Sequence, residues 1–235
     1  DEADSLLLDN EFFIYGGLRP TVKIQYYSTA SNVFFGGVLR TLKEKTFGSW
    51  NIEITEVKGK DTPATEGFDF YIFEHTVPKV LPKDGIIFLV NPDSSADAGF
   101  SIVRRNVQVN DYDGDGASLA IGDGEHPLVR YMDVEGIKVT QYSQVDEASL
   151  ERYDVLMYYE GNPVFFARNE ADSKIAVMTF SLNMSTLALS VYYPILIYNM
   201  FNYYLPSTLT EDLCDVYDTI EVNARGSDLI VIAPD

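Results

Sequence analysis

Three aspartates at alternate positions are the residues in this sequence that most resemble a metal site. Asp111, Asp113 and Asp115 are followed by Gly116, as in the first half of a calcium loop, where carboxylates converge on a hard cation and glycine permits a sharp turn. The bidentate glutamate that completes such a loop is missing, because Gly122 occupies its position. We therefore expect a solvated acidic loop without a resident metal, and keep a calcium site as the alternative.

The two histidines, His75 and His126, both fall where a predicted strand passes into a loop. Open α/β sheets bind ligands at the carboxyl ends of their parallel strands, and imidazole suits acid–base chemistry near neutral pH. Polar residues at neighbouring strand ends complete a candidate rim for a ligand site. Its six members are Ser28, Glu74, His75, Asn91, Asp93 and His126. Structural or surface roles are the favoured interpretation of the two histidines, and the ligand rim is the alternative.

A hydrolase also needs an activated nucleophile, and none stands at a suitable place. The single cysteine, Cys214, follows the last predicted helix, and no Gly-x-Ser-x-Gly or Gly-x-Cys elbow follows a predicted strand. Gly16 and Gly17 precede the first strand, and neither a Walker motif nor a dinucleotide fingerprint occurs. We therefore expect no catalytic residue and no cofactor.

Alternating strands and helices must position these residues. The first half of the chain predicts a helix at residues 32–47 and four strands, at residues 21–27, 50–57, 68–73 and 85–90. The fourth strand is a continuous apolar run, which is typical of parallel strands buried on both faces. We therefore expect an open, mostly parallel α/β sheet flanked by helices.

The second half of the chain is more irregular. Residues 91–127 are rich in Asp and Gly and predict a long loop, and residues around 161–162 predict a hairpin turn. Later elements are strands at residues 137–142, 154–159, 164–168 and 174–180, a helix at 194–205, and tail strands at 219–223 and 228–232. We expect an α/β domain at residues 1–206 and, at 207–235, a linker and a short β tail that could open a following all-β domain.

One uncharged stretch is long enough to cross a bilayer. No charged side chain occurs from Ile175 to Thr210, but Ser, Thr and Asn side chains and Pro194 interrupt the segment. Polar groups at this density would be costly in lipid, so we expect a buried strand followed by a buried helix.

Composition excludes several classes of function. The chain has 235 residues, with 36 acidic and 17 basic side chains and a formal net charge of −19, so nucleic acid and anionic lipid are poor partners. A hydrophobic content of 46% argues against disorder. A single cysteine cannot form an intrachain disulfide, and the acidic first residues do not form a signal peptide.

Four segments together resemble a domain of large bacterial membrane-anchored proteins. They are residues 12–20, 66–76, 89–92 and 198–206. Those proteins carry membrane helices of the aerotolerance-regulator type and a von Willebrand factor A domain, and the domain in question resembles class I glutamine amidotransferases. The resemblance extends from about Glu11 to Pro206 and implies a flavodoxin-like architecture.

Class I glutamine amidotransferases place a nucleophilic cysteine on an elbow between a strand and a helix. In this sequence the matching strand is Gly85 to Val90, and it is followed by Asn91, Pro92 and Asp93 rather than by Cys or Ser. His126 precedes a proline, a pair similar to one in amidotransferase-like and trehalose-utilisation-like domains. The resemblance therefore implies the fold without the nucleophile.

The expected function is that of a catalytically inactive amidotransferase-like domain, a module for protein interaction or ligand sensing. The resemblance implies protein partners, such as the neighbouring von Willebrand factor A domain or other subunits of a membrane complex. It also implies a position on the extracytoplasmic face of a bacterial membrane, by the positive-inside rule. The alternatives are a hydrolase-like enzyme that uses His75, His126 and nearby carboxylates, and a structural spacer.

Overall fold

The computed structural model describes residues 21–29, 33–44, 50–95, 97–109, 118–171 and 173–205. Within these ranges the chain forms ten strands, two α-helices and three short 3-10 helices. The strands are β1 (Thr21–Ser28), β2 (Asn51–Lys58), β3 (Phe70–Glu74), β4 (Ile86–Val90), β5 (Ile102–Gln108), β6 (Leu119–Ile121), β7 (Gln141–Val145), β8 (Asp154–Tyr159), β9 (Asn162–Glu170) and β10 (Ser173–Met178). The α-helices are α1 (Val33–Glu44) and α2 (Tyr192–Tyr204).

Eight of these strands form one sheet, in the order β2-β1-β3-β4-β10-β9-β8-β6. The first five strands pair in parallel, and the last three pair antiparallel. β5 and β7 form a separate antiparallel ribbon. The prediction of an open, mostly parallel α/β sheet is confirmed.

Side-chain alternation along the strands builds an apolar core on each face of the sheet. Phe70 and Ile72 of β3 belong to one core, and Tyr71 and Phe73 of the same strand belong to the other. Successive residues of a strand point to opposite faces, so a strand with a fully apolar sequence contributes to both cores. The apolar run of β4 therefore has the burial that its sequence predicts, and β3 is buried along its whole length, with Glu74 included.

Both described helices contribute to the same core. Phe35 of α1 stacks on Tyr26 of β1 at 5.3 Å between ring centres and meets Tyr193 of α2 edge-on at 5.8 Å. Phe201 of α2 packs against Trp50 at 6.1 Å. The opposite core is completed from loops and from the β5–β7 ribbon, which supply the apolar side chains of Phe100, Ile102, Val145, Leu150 and Tyr153.

The long loop predicted at residues 91–127 was wrong in part, because β5 and β6 lie within it. Four consecutive residues of β5, Val103 to Asn106, are exposed, so the strand shows no apolar alternation and is held by its pairing with β7. The strand predicted at 137–142 was also misplaced, since β7 begins only at Gln141. The turn between β8 and β9 was predicted correctly and contains Glu160 and Gly161, both with positive φ.

The uncharged stretch forms a strand and a helix as far as Leu205. β10 lies between β4 and β9, and α2 begins with Pro194 in its first turn, where a missing N–H costs nothing. Neither described helix has the length and apolar content needed to cross a membrane. The predicted tail strands, and with them the boundary between residues 206 and 207, lie outside the described residues.

Candidate functional site

Strand register aligns the ends of the parallel strands at one edge of the sheet. Ser28 of β1 pairs with Glu74 of β3, Glu74 pairs with Val90 of β4, and Val90 pairs with Met178 of β10. The residues that follow these positions must therefore emerge side by side. This carboxyl edge is where open α/β sheets bind ligands.

Glu74 is a completely buried carboxylate at this edge, with an exposed fraction of 0%. The hydroxyl of Tyr26 donates to its Oε2 at 2.5 Å, and the hydroxyl of Ser28 donates to the same oxygen at 3.2 Å. Burial, and secondly the charge of Glu74, raise the pKa of Tyr26 far above its ordinary value. Tyr26 therefore remains protonated and able to donate.

His75 and Asn91 follow β3 and β4 and both adopt left-handed backbone conformations, with φ of 60° and 43°. Their amides still bond to the sheet, since His75 N donates to Val90 O at 2.9 Å and Asn91 N donates to Met178 O at 2.7 Å. Left-handed residues end a strand abruptly and cost conformational energy that the surroundings must offset. Asn91 thus gives the chain a sharp turn at the position of the expected elbow.

The imidazole of His75 connects three polar side chains. Its Nδ1 lies 3.1 Å from Nδ2 of Asn91, and its Nε2 lies 3.5 Å from Oγ of Ser181 and 3.8 Å from Oε1 of Glu74. Ser181 is only 3% exposed and also accepts a hydrogen bond from the backbone N–H of Asn183 at 3.3 Å. The site is therefore a connected polar network rather than a set of isolated groups.

Asp93 connects two loops of the rim. Its Oδ1 accepts a hydrogen bond from the backbone N–H of Val77 at 3.0 Å, so it ties the loop after β4 to the loop after β3. Of the six predicted rim residues, the structure brings together Ser28, Glu74, His75 and Asn91 by direct contacts. Asp93 stabilises the loops that carry them.

His126 belongs to a different environment. Its Nδ1 accepts from the backbone N–H of Leu128 at 3.2 Å, its Nε2 lies 3.9 Å from Asp154 at the start of β8, and its ring lies 5.2 Å from that of Tyr203. β8 is the third strand beyond β4 in the sheet. Burial lowers the pKa of His126, against a smaller opposing effect of Asp154 and Asp123. None of these contacts links His126 to His75.

A cleft of about 280 Å³ opens beside His75 and Asn91. Its described lining is polar apart from one methionine: His75, Asn91, Arg105, Asn106, Gln141, Ser181, Asn183 and Met184. We call this group of residues the cleft. The β5–β7 ribbon supplies one wall, and the segment after β10 supplies another.

Sequence reasoning missed Ser181 and the wall formed by the ribbon. A signal for Ser181 was present, because it lies three residues beyond the end of β10, a strand that ends at the same edge of the sheet as β4. Only the pairing of β10 with β4 turns that position into a neighbour of His75. The calcium candidates Asp111, Asp113 and Asp115, and Cys214, lie outside the described residues. In the part of the chain that the structure describes, no group of three or more His, Cys, Asp or Glu side chains is arranged to hold a metal.

Comparison with known proteins gives the fold of the chain. No family model and no curated protein matches it. Two cytoplasmic proteins from Salmonella typhimurium are similar in structure, each with a TM-score of 0.56 and 10% identity, over 77% and 78% of this chain and 98% and 99% of theirs. A protein from Bacteroides uniformis described as ThuA-like has a TM-score of 0.52 and 11% identity, over 83% of this chain and 94% of its own.

Identities near 10% indicate a shared fold and carry no function with them. The coverage shows that the likeness extends over nearly the whole of each related structure. The chain therefore has the α/β fold of these structures, with a mostly parallel sheet of flavodoxin-like architecture.

Proposed function

We propose that this chain is a catalytically inactive, amidotransferase-like recognition domain that binds a small polar group in the cleft. The observation that carries the proposal is Asn91, which stands at the turn after β4 with φ of 43°. In the enzymes that the sequence resembles, this turn holds the cysteine nucleophile. A carboxamide cannot attack a carbonyl carbon as a thiolate does. The turn is therefore present without a nucleophile.

The contact between Asn91 and His75 supports a binding role. When the Asn91 amide is oriented so that Nδ2 donates to Nδ1 at 3.1 Å, a neutral ring carries its own proton on Nε2. Nε2 then donates towards Ser181 and Glu74 and is not a base for the serine hydroxyl. The cleft therefore presents fixed donors and acceptors to a ligand.

Size and polarity restrict the ligand. A cleft of about 280 Å³ lies just below the usual range for drug-sized molecules and accommodates a single amino acid or one protein side chain. Amide, hydroxyl and imidazole groups favour a ligand with its own amide or carboxylate. L-glutamine is the natural probe, since it is the substrate of the enzymes that the sequence resembles.

One NMR experiment tests both the binding of a ligand in the cleft and the lack of catalysis. Titration of the ¹⁵N-labelled protein with L-glutamine should shift the backbone amides of His75, Asn91 and Ser181, and no glutamate should accumulate in the same tube. L-alanine, which lacks the side-chain amide, is the control probe and should leave these signals unchanged. Accumulation of glutamate would refute the absence of catalysis, and unchanged amides at saturating glutamine would refute recognition and leave a spacer.

A second candidate function is a serine hydrolase, favoured by the order Ser181, His75 and Asn91 along one chain of contacts. A nucleophile, a base and an orienting group occur in this order in hydrolytic triads. This function requires the opposite orientation of the Asn91 amide, so that its oxygen accepts from Nδ1 and Nε2 becomes the base.

A fluorophosphonate probe separates the two candidates. A hydrolase would be labelled once per chain, and Ser181→Ala would abolish the labelling. Ser185→Ala is the matched control, because Ser185 belongs to the same segment and donates its hydroxyl to Leu182 O at 3.3 Å. We expect no labelling of the unmodified protein.

We also propose that the domain acts within a larger membrane-anchored protein that carries a von Willebrand factor A domain, on the extracytoplasmic face and with protein partners. The support is the resemblance of the four sequence segments, together with an acidic surface that does not favour anionic lipid. A single cysteine introduced at the exposed Tyr131 of a Cys214→Ser full-length protein provides the test. A membrane-impermeant maleimide should label it in intact cells, and labelling only after lysis would contradict the location.

A further inference from the structure

A second and larger cavity lies at the opposite edge of the sheet, where the parallel strands begin. Its volume is about 1060 Å³, which is enough for a small-molecule ligand. Its described basic residues are Lys23, Lys83, Arg168 and Lys174, and its acidic residues are Asp69, Asp84 and Asp97. A local excess of basic groups is unusual in a chain with a net charge of −19. We call this space the amino-edge cavity.

Arg168 of β9 is the buried cation of this cavity, with an exposed fraction of 7%. Its Nη2 donates to Oγ of Ser173 at 2.7 Å, and its Cζ lies 5.0 Å from the ring centre of Tyr153. Its Nε is buried and has no hydrogen-bond partner in the part of the chain that the structure describes. The guanidinium thus leaves part of its hydrogen-bonding capacity unused at the wall of a cavity.

No described carboxylate neutralises Arg168 by an ion pair. Glu170, two residues along β9, is bound by the guanidinium of Arg152. Burial raises the pKa of Tyr153 to about 12 despite the opposing effect of Arg168, so the ring beside Arg168 stays a neutral phenol. Arginine does not lose its proton in proteins, and an unpaired buried charge is therefore strongly unfavourable.

Two of the three acidic residues of the cavity, Asp69 and Asp84, have partners of their own. Asp84 accepts hydrogen bonds from the backbone N–H of Gly67 and from the hydroxyl of Tyr71, each at 2.7 Å. Asp69 accepts from the backbone N–H of Lys23 at 2.8 Å. These carboxylates stabilise the loops that lead into β3 and β4, and no carboxylate among the described residues forms an ion pair with Arg168.

We propose that the amino-edge cavity binds a small anion bearing a carboxylate or phosphate group, with Arg168 as its buried anchor. The planar guanidinium matches the geometry of such oxyanions, and an anion would supply both the missing counter-charge and the missing acceptor for Nε. Lys23, Lys83 and Lys174 place further positive charge around the opening. This site is distinct from the cleft, which lies at the other edge of the sheet.

Thermal unfolding in the presence of inorganic phosphate or succinate tests this proposal, with sodium chloride at equal ionic strength as the reference. Both the wild-type chain and Arg130→Met should gain thermal stability from at least one of the two anions beyond the effect of chloride. Arg130→Met is the matched control, because Arg130 is exposed and lies 5.9 Å from the ring centre of Tyr131. Arg168→Met should lose this response and, without anion, should be at least as stable as wild type.

Calorimetry gives the affinities, and the two probes distinguish a phosphate site from a carboxylate site. Loss of a charged hydrogen-bonding anchor should raise the Kd by about tenfold or more. An equal response of Arg168→Met and wild type, or no response of wild type to either anion, would overturn the proposal. If Arg168→Met does not fold, the double variant Lys83→Gln/Lys174→Gln keeps Arg168 and should bind severalfold more weakly, and unchanged binding would refute the site.

Discussion

Asn91 and His75 lie on adjacent parallel strands, each one residue beyond the last paired position, and Nδ2 of Asn91 is 3.1 Å from Nδ1 of His75. Both residues have positive φ, so two neighbouring strands end in the same strained conformation. Backbone strain of this kind persists only where the contacts of the surrounding structure hold the residue in place. Such residues cluster at ligand sites. The contact joins the turn after β4 to the centre of the polar network.

Asn91 should tolerate glycine better than alanine. Both substitutions remove the amide, but only alanine opposes the φ of 43°. We therefore expect Asn91→Ala to lower the free energy of unfolding by about 1 kcal/mol more than Asn91→Gly. Urea unfolding measures the difference. Asn183, in the same cleft but without positive φ, is the control and should show the reverse order. Equal stabilities of the two Asn91 variants would contradict the role of strain.

Removal of the Tyr26 hydroxyl should destabilise the fold. Tyr26 donates to the buried Oε2 of Glu74 at 2.5 Å, and phenylalanine would leave that carboxylate with one donor fewer. The expected loss for Tyr26→Phe is about 1–3 kcal/mol. Tyr27→Phe is the adjacent control, because its hydroxyl donates to Gly59 O at the longer distance of 3.3 Å in a partly exposed position. Chemical denaturation of both variants should give the larger loss for Tyr26, and a larger loss for Tyr27 would refute this ranking.

Protonation of His126 should lower the free energy of unfolding in mild acid, relative to neutral pH. Its pKa is lowered by burial below the ordinary value of 6.5, so below about pH 6.5 the unfolded chain binds this proton more readily than the folded chain. Stability from this residue is therefore present at neutral pH and is lost as the pH falls through and below 6.5. His126→Asn, which keeps an acceptor for Leu128 N, should unfold with a weaker dependence on pH.

Asp154→Asn provides the converse test of the same residue. The charge of Asp154 opposes the lowering of the His126 pKa, so its removal should make the acid loss of stability steeper. Unfolding free energies at several pH values between about 5 and 8 give the slopes. Identical slopes for wild type, His126→Asn and Asp154→Asn would show that His126 does not contribute to the pH dependence.

Gly85 should be far less replaceable than Gly136. Both have positive φ, of 66° and 76°. A Cβ at Gly85 would lie 2.5 Å from Phe68 O and 2.8 Å from Asp69 O, whereas a Cβ at Gly136 would meet nothing within 4 Å. We expect Gly136→Ala to cost about 1 kcal/mol from backbone strain, and Gly85→Ala to cost about 3 kcal/mol or more because β3 and β4 must also separate. Thermal unfolding of the two variants measures these losses of stability. Equal losses would contradict this expectation.

The sequence by itself determined the elements whose burial follows a simple period. The apolar runs of β3 and β4 and the helical spacing of Phe35 and Leu39 predicted buried strands and an amphipathic helix, because these patterns depend only on local geometry. It also predicted that Asn91 directly follows β4. That conclusion needed only the end of one strand.

Only the tertiary structure decided which residues share a site. Ser181 is 106 positions from His75 and becomes its neighbour through the parallel pairing of β10 with β4. His126 was grouped with His75 because both follow predicted strands, yet the sheet order places its partner Asp154 on a distant strand. Periodicity indicates which face of a strand is buried but carries no information on which strands are neighbours. That choice depends on the packing of the whole chain. It assembles the cleft at one edge of the sheet and places Arg168 in the amino-edge cavity at the other.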